Sequence, residues 1–98
     1  MLDALPLPPL AGTRKRAQDL LSQLPDDLRG IDVVFDCRGL VASTRSFADE
    51  LVSGVLVQRN AHELRFVNVD DLEFARWVDE SAAARKVSDR YKVDRRAC

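Results

Sequence analysis

Two short apolar runs, Val33-Val34-Phe35 and Leu64 to Val69, are separated by a segment with helical periodicity, and this constrains the fold more than any other feature. Strands joined through a helix cannot form a hairpin. They pair in parallel through right-handed crossovers. The unbroken Val33–Phe35 run predicts a strand covered on both faces. Between the runs, a helix is expected from about Thr44 or Ser46 to Val57, with Phe47, Leu51 and Val55 on one face and Ala48 and Val52 beside them. Thr13 reads as the N-cap of an upstream helix to about Leu24, with Ala17, Leu20, Leu21 and Leu24 inward and Pro25 as its stop. Asp70 reads as the cap of a downstream helix through about Ala84, with Phe74, Trp77, Val78 and Ala82 as its core stripe.

The resulting order is arm, helix, strand, helix, strand, helix, tail, which makes the chain a small α/β domain. Two strands do not hold a sheet alone. An edge is therefore expected from the N-terminal arm or from the segment around Tyr91 to Val93. Residues 1–12 carry Pro6, Pro8 and Pro9 and read as an extended Pro-rich arm or an edge strand. Residues 13–84 form the domain, and residues 85–98 a basic C-terminal tail, read as a solvated, frayed terminus.

At 98 residues there is room for one core, and 46% hydrophobic with 32% charged residues suits a globular chain. The net charge of −1 is unevenly spread. Arg85, Lys86, Arg90, Lys92, Arg95 and Arg96 against Asp89 and Asp94 give the tail +4 and leave −5 on the remainder. That acidic body repels phosphates, so nucleic-acid binding through the tail ranks last among the functions considered. Cys37 follows an apolar strand and Cys98 ends the chain, a spacing that suggests a reducing compartment rather than a disulfide. The segment MLDALPLPPL has no basic n-region, and no run approaches membrane-spanning length. The expectation is a cytoplasmic protein with no membrane partner.

Enzymatic chemistry finds little footing, and the chain is expected not to be an enzyme. His62 is the single histidine, placed in the turn QRNAHE, and with two distant cysteines it matches no recognised zinc spacing. Gly12, Gly30, Gly39 and Gly54 are scattered and form no phosphate-cradling loop. Asp49 and Glu50 are consecutive on a helix, so their carboxylates diverge by about 100°. No catalytic residue, metal or cofactor is expected.

The loop between the first strand and its helix is more promising. Gly39 permits a turn, and Ser43, Thr44 and Ser46 place three hydroxyls beside helix-terminal N–H groups, which favour anions. Ser46-Phe47-Ala48-Asp49 fits a capping box, worth about 1 kcal/mol as a local stabiliser. The same hydroxyls are candidate phosphorylation sites. A phosphate there is favoured by the helix dipole and opposed by Asp49 and Glu50.

Val-Val-Phe-Asp-Cys-Arg-Gly-Leu (33–40) followed by Ser-Phe-Ala-Asp-Glu-Leu (46–51) resembles the STAS-like family of small domains, with Thr13-Arg14 and Val67-Asn68-Val69 fitting the same pattern over residues 12–84. More distantly it is similar to the STAS domains of anti-sigma factor antagonists. That resemblance implies a short mixed sheet with helices mainly on one face. It also implies a partner that is an anti-sigma factor kinase with the histidine-kinase-like ATPase fold. Aligning Val33 to Asp36 and Gly39 without gaps puts Ser46 on the phosphorylatable serine of that family. Thr44 stands where the antagonists usually have Asp, Arg45 where they have Ser or Thr, and Phe47 where they have Gly.

Two functions follow. One is a non-enzymatic regulatory domain, an antagonist-like partner switch. It would bind a kinase-like ATPase or anti-sigma factor through residues 40–55, with Arg45, Asp49, Glu50 and Ser53 in contact and phosphorylation at Ser46, Thr44 or Ser43 as control. The alternative is a constitutive interaction or assembly protein without covalent control, such as a phage or mobile-element inhibitor of a host regulator or an antitoxin-like partner. An unpaired edge strand also offers a route to a homodimer.

Overall fold

The computed structural model describes residues 4–95, so Arg96 and Cys98 of the expected tail lie outside the described residues. The elements run β1 (Leu5–Pro6), β2 (Leu10–Ala11), α1 (Arg14–Leu21), β3 (Asp32–Asp36), β4 (Ala42–Ser43), α2 (Arg45–Val52), β5 (Glu63–Val69), α3 (Leu72–Ala84) and β6 (Tyr91–Arg95). A π-helical segment, Ser53–Gln58, continues α2, and a short 3-10 turn, Ser88–Arg90, precedes β6. The main sheet has the order β1-β3-β5-β6, and β2 and β4 form a separate pair.

Every pairing among the described residues is parallel, in place of the mixed sheet the resemblance implies. The strands lie in chain order. Right-handed crossovers that always step in one direction put each helix on the same face. Accordingly α1 packs on α2 and α2 on α3, forming one row of helices.

One-sided cover shows in β3, where Val33 and Phe35 are buried while Asp32, Val34 and Asp36 are only partly covered. This corrects the reading of Val33–Phe35 as a strand enclosed on both faces. Three consecutive apolar residues are compatible with an alternating strand because Val34 is tolerated on the open face.

Register then aligns the core: Val33 with Leu64 and Phe35 with Phe66. Phe66 stacks on Phe35 at 5.8 Å between ring centres and meets the edge of Phe74 of α3 at 5.4 Å. Asn68 adopts φ +57 at the irregularity between Phe66 and Val69, a bulge that keeps Val69 in the core. Its amide donates to Asp36 Oδ1 at 3.0 Å, tying β5 to the end of β3.

Helix starts follow side-chain oxygens. Thr13 Oγ1 accepts from Arg16 N as expected. The last helix is capped by Asp71 rather than Asp70, since Asp71 Oδ1 reaches the N–H groups of Glu73 and Phe74. Along α3, Phe74, Val78 and Ala82 are buried and Trp77 is partly covered.

Regular α2 stops at Val52, short of Val57, and widens into the π-helical segment. At Gly54 a Cβ would lie 2.3 Å from Leu21 Cδ1, so glycine lets α1 close on this segment. The loosened carbonyls are met by arginines. Arg59 Nη1 donates to Gly54 O at 3.1 Å, and Arg90 Nη2 donates to Leu56 O at 3.2 Å and to Ala61 O.

Arg90 belongs to the segment read as a frayed tail. It and β6, paired with β5, are instead parts of the folded unit. The arm likewise supplies β1, paired with β3. The expected edge comes from both termini rather than one, β1 lying outside β3 and β6 outside β5.

Phe66 touches both ring neighbours and is fully buried. Phe66→Ala is expected to cost about 3–5 kcal/mol, read as a lower urea midpoint at unchanged slope. A loss below about 1 kcal/mol would contradict the central place given to this ring.

Candidate functional site

Asp36 ends β3 and its carboxylate caps the turn by accepting from Arg38 N at 2.9 Å. The chain then passes Gly39 and runs alongside the arm. Val41 N and Ala42 N both donate to Pro9 O, at 2.8 and 3.1 Å, and Thr44 N donates to Ala11 O at 3.1 Å. The arm thus braces the loop before α2 begins.

Thr44 is the N-cap of α2, its Oγ1 accepting from Phe47 N at 3.2 Å. The expected capping box of Ser46 and Asp49 does not form. Ser46 is already within the first turn and exposed, and Asp49 points across to α3. Ser43 Oγ is buried without a hydrogen-bond partner among the described residues. The three hydroxyls therefore differ: Ser43 is enclosed, Thr44 is occupied as a cap, and Ser46 is open.

The four expected contact residues divide in the same way. Arg45 is exposed and lies 3.5 Å from Glu80 Oε1. Asp49 accepts from Ser81 Oγ at 2.6 Å and from Arg85 at 3.1 and 2.8 Å, with Arg14 at 3.5 Å. Glu50 is buried and is held by Arg14 at 2.6 Å, with Gln18 at 3.4 Å. Ser53 is buried as well. Glu50 thus faces α1 and Ser53 is enclosed, neither on an exposed side, a correction to their expected place at a partner contact. That expectation assigned polar residues to solvent and did not see the arginine on α1.

A cleft of about 290 Å³ opens between α2 and α3, lined by Arg14, Arg45, Ser46, Asp49, Trp77 and Glu80 among others. The arm, the loop and the start of α3 expose apolar side chains. Leu10 and Val41 are 62% and 72% exposed, on backbone segments joined by the Leu10–Ala42 pairing and the bond from Val41 N to Pro9 O. Leu72, also 62% exposed, begins α3 at the same carboxyl end of the sheet. That end is where open α/β sheets present their ligand-binding loops.

The Arg85 guanidinium is the chief influence on Asp49 and holds its carboxyl down at about 2, with Ser81 and Arg14 assisting against burial. Cys37, beneath the loop, is a buried thiol pushed up to about 12, first by burial and then by the Asp36 charge. It is not thiolate at neutral pH and offers no nucleophile.

Sequence reasoning missed a cluster at the opposite, amino-terminal end of the strands. His62 Nδ1 lies 2.7 Å from Asp32 Oδ1, and Glu63 adjoins them. Asp32 and Glu63 are register partners, 31 residues apart in the chain, so local spacing carries no signal of the group.

Because its carboxyl is depressed, Asp49 contributes stability that is complete above the ordinary carboxylate range and is lost as pH falls towards about 2. Asp49→Asn is expected to be less stable than the parent at pH 6, with the gap narrowing between pH 4 and 2. Urea midpoints across that range check it. A gap independent of pH would rule out the ion pair as its source. Comparison with protein-family models, curated proteins and solved structures finds no match for this chain.

Proposed function

We propose that the chain is a non-enzymatic regulatory domain, antagonist-like in the STAS sense, that binds a protein partner through the rim formed by the arm, the loop and the start of α2. The observation that carries this reading is the exposure of Leu10 and Val41, on the paired arm and loop, together with that of Arg45 and Ser46 at the start of the helix that follows. Large apolar side chains held in water at a braced loop suit a partner offering an apolar socket. A central apolar anchor with a charged border is the usual anatomy of such a contact.

Arg38 and Arg45, exposed on either side of the loop, favour an acidic rim on the partner. A histidine-kinase-like ATPase or anti-sigma factor remains the partner class the resemblance implies. Control by phosphorylation is proposed for Ser46 rather than Ser43 or Thr44, on the grounds of access. The charge objection to that modification weakens, because Asp49 and Glu50 are each paired with arginine and Arg14 and Arg45 line the same cleft. A phosphate of about −1.5 to −2 charge would draw those arginines away from their carboxylates.

Mixing the chain with such an ATPase and Mg-ATP tests both parts. A complex by analytical ultracentrifugation is expected, together with one added phosphate on Ser46 by mass spectrometry. The double substitution Leu10→Asp and Val41→Asp, on exposed positions, is expected to remove the complex while keeping the melting temperature. A complex without phosphate on Ser46, unaffected by Ser46→Glu, would leave the constitutive reading. A complex indifferent to the double substitution would dismiss the rim.

A further inference from the structure

We propose that Asp32, His62 and Glu63 bind a divalent transition-metal ion of the Zn²⁺ type at the amino-terminal end of the sheet. One imidazole nitrogen and one oxygen from each carboxylate lie within 4.8 Å of one another. An imidazole and two carboxylates are donors that suit Zn²⁺, with water completing the shell. Bonds of about 2.1 Å in a tetrahedral site set donors roughly 3.4 Å apart. The His62–Asp32 pair, at 2.7 Å, must therefore open slightly. His62 is 70% exposed and its ring can move, while its backbone is fixed by His62 N donating to Ile31 O at 2.9 Å.

Rigidity comes from the sheet. Asp32 and Glu63 are paired in register on adjacent hydrogen-bonded strands, so the spacing of the two carboxylates is set by the fold. The protein's own hold on Glu63 is loose. Among the described residues Glu63 Oε1, itself buried, accepts no hydrogen bond, and its nearest cations stand off at 3.6 Å (Lys92) and 3.7 Å (Arg65). Its lone pairs are available to a closer cation. Lys92 then competes with the ion for the Glu63 carboxylate, whereas Arg65 is also engaged by Asp94 at 3.4 Å. The site lies at the other end of the strands from the rim and does not depend on the partner-binding reading.

Calorimetric titration of the full chain with Zn²⁺ tests this, with a Cys98→Ser chain alongside to remove the terminal thiol as a donor. One-to-one binding is expected in both. His62→Gln and Asp32→Asn, at positions outside the core, are expected to keep the metal-free melting temperature and to weaken binding at least about tenfold. Lys92→Met is expected to tighten it. Absence of one-to-one binding in the parent would overturn the proposal. So would its loss in the Cys98→Ser chain, or parental affinity in both His62→Gln and Asp32→Asn.

Discussion

A parallel sheet whose strands follow chain order can be covered by its own crossover helices on one face only, and the rest of the molecule depends on that constraint. The core becomes a single layer between sheet and helices, centred on Phe35, Phe66 and Phe74. Parallel sheets are ordinarily buried on both faces. Here the uncovered face is dressed with Asp32, Glu63, Arg65, Lys92 and Asp94, whose opposite charges meet along β5 (Glu63 with Arg65) and diagonally between β5 and β6 (Glu63 with Lys92, Arg65 with Asp94). Such cross-strand ion pairs in water contribute little stability, but they keep the face soluble.

The helix row is locked by a second device. Arg14 on α1 reaches Asp49 and Glu50 on α2, and Asp49 in turn takes Arg85 and Ser81 from the last helix and its end. Because Glu50 is buried, removing Arg14 would leave a carboxylate without its principal partner, which costs more than the pair itself contributes. The carboxylates on α2 are thus occupied internally. Arg45, Ser46, Leu10 and Val41 stay exposed, Arg45 in loose contact with Glu80.

The arm joins structure and proposed function. Pro9 O accepts two loop N–H groups and Ala11 O a third, so residues with no helical or core signal of their own position the loop that precedes α2. Arg90 does the equivalent at the far end, closing the carbonyls that the π-helical segment leaves open.

Much of the fold was legible in the sequence. The helix periodicities, the Thr13 cap, the two central strands, their parallel pairing and an edge from either terminus follow from apolar spacing and caps, which are local properties. Less of the site was legible. Strand–loop–helix geometry at Val33 to Val52 could be read, and so could three hydroxyls near a helix start, but not which of them caps, which is enclosed and which is open. Thr44 won the cap over Ser46 because the loop is held by the arm, and Asp49 left the helix terminus because Ser81 and Arg85 were within reach on α3. Glu50 and Ser53 turned inward for the same reason: a helix face is polar or buried according to what packs on it. The Asp32–His62–Glu63 group had no local signal at all, since register alone unites it. Local pattern determined the elements and their order, because propensity and periodicity act over a few residues. Tertiary structure decided the polar partnerships between elements, because those distances exist only once the strands and helices have been laid side by side.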